Sequence, residues 1–77
     1  MTITVKYFGL IAEITKCENE MLSFSKSTIS DFLELLFEKY PNLKNKDFQV
    51  AQKQELVGLD TLITEDELAI LPPFAGG

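Results

Sequence analysis

Apolar and polar residues alternate from the start of the chain: Ile3, Val5 and Tyr7 fall on one side, Thr2, Thr4 and Lys6 on the other. That period of two predicts a strand with one face buried, ended at Phe8 and Gly9. The run LIAEIT, Leu10 to Thr15, fits a helical turn or a loop. Leu22 and Phe24 then alternate with Ser23 and Ser25 as a second strand, placed to pair antiparallel with the first across a long connection. The period changes in TISDFLELLFEKYP, where Ile29, Phe32, Leu33, Leu36, Phe37 and Tyr40 share one helical face. Thr28 followed three residues later by Asp31 resembles a capping box built with the shorter acid. Pro41 ends the helix, because the residue before a proline is pushed out of the α region.

NLKNKD reads as a polar connection, and FQVAQ as a third strand with Phe48, Val50 and Gln52 on one side and Gln49 and Ala51 on the other. Leu56 and Val57 precede a turn at Gly58 and a run of turn formers around Asp60 and Thr61. ELAILPP is a last strand, with Leu68 and Ile70 opposite Ala69 and Leu71. Pro72 marks the end of pairing, since proline has no N–H to donate to a ladder. Strand, strand, helix, strand or strands, strand predicts an α+β fold, a mixed sheet with one face packed on a single main helix. That is the ubiquitin-like β-grasp order, filled by one domain over residues 1–77.

Composition narrows the chemistry. A chain of 77 residues buries only roughly 60% of the surface its unfolded form exposes. A pocket of several hundred cubic ångströms is hard to house in it, which favours a carrier, a binding module or a subunit over a complete enzyme. The formal net charge is −5, from 12 acidic and 7 basic residues. Such a surface repels phosphate backbones, so nucleic acid is not an expected partner. All the basic residues are lysines, which removes the bidentate phosphate clamp of arginine. With no histidine and a single cysteine, an all-protein zinc site, a Ser-His-Asp triad and an internal disulfide are excluded by inventory. No apolar run reaches membrane-spanning length and the N-terminus has no signal-peptide pattern, so a reducing cytoplasm is the expected compartment and no membrane partner is expected.

The end of the chain, LPPFAGG, is the candidate functional element. Pro72 and Pro73 each fix φ and favour an extended path, carrying the chain off the sheet as a semi-rigid spacer. Phe74 is a lone aromatic, and Ala75, Gly76 and Gly77 then shrink toward bare backbone. Residues 72–77 reach roughly 20 Å when extended, and the final two fit a slot too narrow for any side chain. Such a slot would receive the Gly77 α-carboxylate, whose ordinary pKa of about 3.3–3.7 leaves it ionised and inert as an acyl donor at neutral pH. It needs activation, typically adenylation by another protein. The bland alternative is a loose glycine-rich end. The proline spacer, its direct exit from the last strand and the β-grasp order together favour a working tail.

These residues resemble the small subunit of molybdopterin synthase, a ubiquitin-like sulfur-carrier family. The likeness runs through VKYFG with Glu13 after it, TISDFLELLFEKYP, VAQKQE and, most specifically, EDELAILPPFAGG. The sequence departs from that pattern where EITKCEN lacks a glycine, where Lys53 stands in place of a common Asn, and where Glu65 stands in place of a common Gly. The resemblance implies a mechanism in which an activating enzyme consumes ATP to adenylate Gly77, followed by conversion to a thiocarboxylate. The tail would then enter a large subunit and donate sulfur toward the dithiolene of molybdopterin, in a heterotetramer of two large and two small subunits. Gly77 would carry the sulfur and Gly76 would give clearance. Leu71, Pro72, Pro73, Phe74 and Ala75 would meet the partner. No stably bound cofactor and no metal is implied, and the catalytic bases would belong to the large subunit.

Other residues have plainer readings. Cys17 in TKCEN reads as an incidental thiol, with no His or Arg beside it to activate it. Glu65, Asp66 and Glu67 read as a solvated turn, or as an acidic patch that meets a basic partner and speeds association. Leu35 lies off the helical stripe, while Ala51, Ala69 and Leu71 are candidates for the sheet face away from the helix, where a contiguous patch would mark a partner site. Three other functions compete: a sulfur carrier for thiazole formation in thiamin synthesis, a protein-modifying ubiquitin-like tag, and an interaction module with an inert tail. Carriers of the thiazole pathway usually begin with an Asn-Gly-type turn where this chain has KYFG, and lack the paired prolines.

Overall fold

The computed structural model describes residues 2–25 and 27–73. The elements run β1 (Thr2–Tyr7), α1 (Leu10–Thr15), β2 (Asn19–Ser23), α2 (Ile29–Lys39), β3 (Gln49–Gln52), β4 (Glu55–Val57) and β5 (Glu67–Leu71), with a 3₁₀ turn at Pro41–Asn45. The five strands form one mixed sheet in the order β2-β1-β5-β3-β4. β1 pairs antiparallel with β2 and parallel with β5, while β3 is antiparallel to both β5 and β4. This is the β-grasp fold that the pattern predicts, with the chain's last strand in its middle.

Alternation explains which face is buried. Ile3, Val5 and Tyr7 of β1, and Leu68 and Ile70 of β5, point inward with Val50 of β3. They meet Ile29, Phe32, Leu33 and Leu36 of α2, and Ile11, Leu43 and Ile63 complete the core. The α2 stripe is narrower than its periodicity suggests: Phe37 and Tyr40 are only half-buried. Phe37 packs edge-on against Phe48, with ring centroids 5.9 Å apart.

The amides of Ile29, Ser30 and Asp31 at the start of α2, which a helix leaves without internal partners, are all satisfied, and the helix's own ladder begins at Phe32. The Ile29 and Ser30 N–H groups donate to the Thr61 and Leu59 carbonyls at 2.9 and 3.0 Å, and Phe32 N–H donates to the Thr28 carbonyl at 3.1 Å. Asp31 N–H donates to the Thr28 hydroxyl at 3.2 Å, the cap the sequence predicts. The Asp31 carboxylate accepts from the Ser27 hydroxyl, and this bond first, then the Thr28 hydroxyl and backbone, lower its pKa.

Three expectations are corrected. NLKNKD is no mere polar connection: Pro41 ends α2 and opens the 3₁₀ turn, which drives Leu43 fully into the core. The second strand begins earlier than expected, at Asn19, and stops at Ser23. Phe24 lies past its end, in edge-to-face contact with Phe32 at 5.4 Å. The acidic run is not a free turn, because Glu67 is the first residue of β5 in register with Thr4, and Glu65 is half-buried. The ambiguous LIAEIT run is a helix, α1, with Ile11 and Thr15 buried.

Candidate functional site

The site is the point where β5 delivers the chain out of the sheet. Its last register pairs are Tyr7 with Ile70 on the β1 side and Leu71 with Gln49 on the β3 side. One further bond, from the Phe8 N–H to the Ile70 carbonyl at 3.1 Å, closes the β1 side. Pro72 follows and, lacking a donor, stops the ladder. Leu71 and Pro72 are half-buried and Pro73 is exposed. Phe74, Ala75, Gly76 and Gly77, the remainder of the expected site, lie outside the described residues.

The sheet face away from α2 leads up to this exit. Because Leu68 and Ile70 point inward, Glu67, Ala69 and Leu71 point outward. Ala69 stands in register with Ala51 of β3, and Ala51 with Leu56 of β4. Two alanines side by side keep the centre of this face low, forming a shallow depression of about 440 Å³ bordered by Lys6, Phe8, Lys53 and Glu65. Phe8, Leu56 and Met21 are 44%, 60% and 69% exposed, and the β1–β2 register puts Met21 on the same face, opposite Thr4. Ala51, Ala69 and Leu71, candidates for the open face, lie on it, and a surface of apolar side chains mixed with the charges of Lys6, Lys53, Glu65 and Glu67 adjoins the exit. Lys6 and Glu67 form an ion pair across it at 3.1 Å, but both are half-exposed, where such pairs contribute little.

The acidic segment before β5 is tied down by one side chain. Gln52, buried at the end of β3, accepts from the Thr64 N–H at 2.9 Å and donates to the Leu62 carbonyl at 3.2 Å. Lys53 lies 3.9 Å from the Glu65 carboxylate.

A second polar cluster was not foreseen. Glu20 is in register with Val5 and so points toward α2, where its side chain is 16% exposed. It accepts from Lys39 Nζ at 2.6 Å, the Tyr40 hydroxyl at 2.5 Å and the Tyr7 hydroxyl at 2.6 Å. Burial by itself pushes the Glu20 carboxyl up, but these three donors outweigh it and hold the group below its ordinary value. Burial, then the bond to Glu20, raises the Tyr7 hydroxyl, and the same two causes raise Tyr40. A carboxylate engaged by three donors is not available as a general base, so the cluster is structural. Its only signals in the sequence are inward tyrosines, whose hydroxyls need partners when buried, and a glutamate two residues before inward Leu22. Cys17 is half-buried beside it, with its thiol 3.9 Å from Glu20 Oε2.

Residues 5–77 match the ThiS family. The chain is also similar to a putative molybdopterin converting factor subunit 1 from Pyrococcus furiosus, with a TM-score of 0.86 and 17% identity over 96% of this chain and 99% of that one. The small archaeal modifier protein 1 of Methanosarcina acetivorans is 29% identical over 99% of this chain and 96% of its own, with a TM-score of 0.75. A chain in the complex of subunits 1 and 2 of the molybdopterin-converting factor from Helicobacter pylori 26695 is 26% identical, with full coverage of both chains and a TM-score of 0.68. Among the described residues no helix is long and apolar enough to cross a membrane. Taken with a central strand that delivers the chain past Pro72, the match over residues 5–77 means that the chain belongs to the ThiS family and has the β-grasp fold of ubiquitin-like sulfur carriers.

Proposed function

We propose that this chain is the sulfur-carrier subunit of a two-component molybdopterin synthase. In this reading an activating enzyme joins a Gly77 carboxylate oxygen to the α-phosphorus of ATP and releases pyrophosphate. A sulfide equivalent then attacks the acyl carbon, expels AMP and leaves a thiocarboxylate. The tail enters the large subunit, in a 2:2 assembly, and gives up that sulfur toward the molybdopterin dithiolene as water restores the carboxylate. Gly77 bears the sulfur, and Gly76 leaves room around it. Pro72 and Pro73 hold the tail off the sheet, while Leu71, Phe74 and Ala75 contact the partner. ATP is consumed by the activating enzyme, and the carrier itself keeps no cofactor or metal.

The observation that carries this reading is the end-to-end likeness to a chain of the Helicobacter pylori complex of subunits 1 and 2, together with the PPFAGG ending. The exposed Phe8, Met21 and Leu56 on the sheet face beside the exit support a protein partner, since exposed apolar side chains rimmed by polar ones mark interaction sites. A second reading, a protein-modifying tag, is favoured by the 29% identity to small archaeal modifier protein 1. A third, the carrier for thiazole formation, shares the activation chemistry and differs in the acceptor.

The test is mass spectrometry of the C-terminal fragment after incubation with ATP, a sulfur source and an activating enzyme, followed by addition of large subunit and cyclic pyranopterin monophosphate. Exchange of one oxygen for sulfur at Gly77, followed by its loss to the pterin, is expected. A thiocarboxylate that passes its sulfur only to a thiazole synthase, or a Gly77 joined to lysines of other proteins, sinks the molybdopterin reading. An unmodified Gly77, with the enzyme active on another carrier, leaves an interaction module with an inert tail.

A further inference from the structure

The strand ladder ends where two distant segments come close together. Beyond the Tyr7–Ile70 pair, β1 runs into Gly9 and β5 into Pro72. Gly9 has φ +58° and ψ −134°, a conformation that L side chains rarely adopt. Its carbonyl accepts the first bond of α1, from the Ala12 N–H at 3.0 Å. A Cβ added at Gly9 would lie 2.9 Å from Pro72 Cγ, well inside the roughly 3.5–4.0 Å at which carbons rest against each other.

The neighbour that would have to give way is a proline, and that decides the consequence. A flexible side chain would swing to another rotamer. The Pro72 ring is closed onto its own backbone nitrogen, so Cγ can yield only by a change of ring pucker, and any larger displacement moves the main chain. Pro73 follows at once with its own fixed φ, so over these two residues only ψ is free to take up the change. An extended run from 72 to 77 reaches ~20 Å. A small rotation at its base is therefore magnified along this length at the far end.

We infer that Gly9 and Pro72 form a seat that aims the tail, and that Gly9 is thereby a positioning residue for chemistry at Gly77, more than sixty positions away in sequence. The seat itself stands on geometry. Its bearing on sulfur transfer rests on the carrier reading above.

Two measurements on the full chain separate these parts. In the first, a nitroxide is placed at residue 75 through Ala75→Cys in a Cys17→Ser background, and paramagnetic broadening of backbone amides maps where the tail points. Gly9→Ala and, separately, Pro72→Gly are expected to move the broadened region to different amides. Pro72→Gly removes the ring without adding a clash, and so reads the seat even where Gly9→Ala folds poorly. An unchanged map in the folded variants overturns the seat.

In the second, ATP–pyrophosphate exchange by the activating enzyme is followed with both variants unlabelled. For Gly9→Ala the expected result is a fall in kcat of about tenfold or more with KM held within about twofold, because no residue read as a partner contact is changed while the carboxylate arrives misaimed. Pro72→Gly, which also alters a partner contact, should lower kcat similarly. A moved map with unchanged kcat overturns the positioning role. Absence of exchange with the unsubstituted chain sinks the carrier reading instead, while the broadening map still decides the seat.

Discussion

The Tyr40 hydroxyl donates to Glu20 Oε2 at 2.5 Å across twenty positions of sequence, tying the end of α2 to edge strand β2. Glu20 is held below its ordinary value of 4.5, so the folded state binds its proton less readily than the unfolded chain does. Its contribution is fully present above about pH 4.5 and is lost as pH falls through the lower folded value. Tyr7 and Tyr40 are raised above their ordinary 10.0, so theirs is present below about pH 10 and lost as pH rises beyond it. Stability should form a plateau between these limits. Glu20→Gln should lower the plateau by about 1–2 kcal/mol and flatten the acid limb, read by denaturant unfolding across pH. An acid limb as steep as that of the unsubstituted chain would assign it to other carboxylates.

The β3–β4 hairpin turns through Lys53 and Gln54, both with positive φ, at 60° and 65°. Two-residue turns of this shape favour Asn-Gly, and an L side chain there costs roughly 1–2 kcal/mol. Part of that cost is offset when glycine loosens the unfolded chain. Gln54→Gly should therefore stabilise the protein by about 0.5–1 kcal/mol, raising Tm by a few degrees. A lowered Tm would mean the Gln54 side chain contributes more than its backbone costs.

Gln52 is a single clamp on the segment before β5. Gln52→Leu keeps the volume but leaves the Thr64 N–H and the Leu62 carbonyl without their partner, which should cost about 1–3 kcal/mol. Hydrogen exchange at the Thr64 amide should accelerate well beyond the effect of the global loss. Uniform acceleration across the sheet would show that Gln52 acts through packing alone.

Leu36 and Phe37 look equivalent on a helical wheel and are not equivalent in the fold. Leu36 is fully buried while Phe37 is half-buried beside Phe48. Leu36→Ala should cost about 2–5 kcal/mol, a large share of the roughly 4–12 kcal/mol a domain of this length has. Phe37→Ala should cost clearly less, and chemical denaturation of the two variants gives the comparison directly.

If Asp66, at the start of the acidic approach to β5, helps recruit a basic partner, Asp66→Lys should slow association with the activating enzyme at low salt. The difference should shrink as ionic strength rises and screens surface charge. Stability should hardly change, since Asp66 is exposed. Stopped-flow association at two salt concentrations is the check, and an unchanged on-rate returns the acidic run to a solvated surface.

The elements best anticipated from sequence were those with a strong period of their own. The α2 stripe with its Thr28 cap, and the alternation in β1 and β5, each specify an element locally. What escaped detection depends on distant partners. Leu43 is one apolar residue among polar ones, and only a 3₁₀ turn after Pro41 aims it inward. Glu20 and Gln52 are ordinary surface residue types until the sheet register places them beside Tyr7, Tyr40 and the Thr64 amide. At the candidate site, Pro72 was legible as the end of the ladder because proline has no N–H to donate wherever it stands. Gly9 was legible only as the end of a strand, because its role depends on a ring that arrives more than sixty residues later.

The position of β5 bears on when the protein becomes usable. β1 with β2, and β3 with β4, form two separate ribbons, and β5 alone bonds to both. Two-stranded ribbons are marginal by themselves in water. While residues 67–71 are still inside the ribosome, the nascent chain therefore cannot close its sheet. In the carrier reading proposed above, the tail follows that same strand, so it would be presented only by a domain whose sheet has closed. An enzyme that recognises the sheet face and the tail together would thereby check the integrity of its substrate without a separate proofreading step.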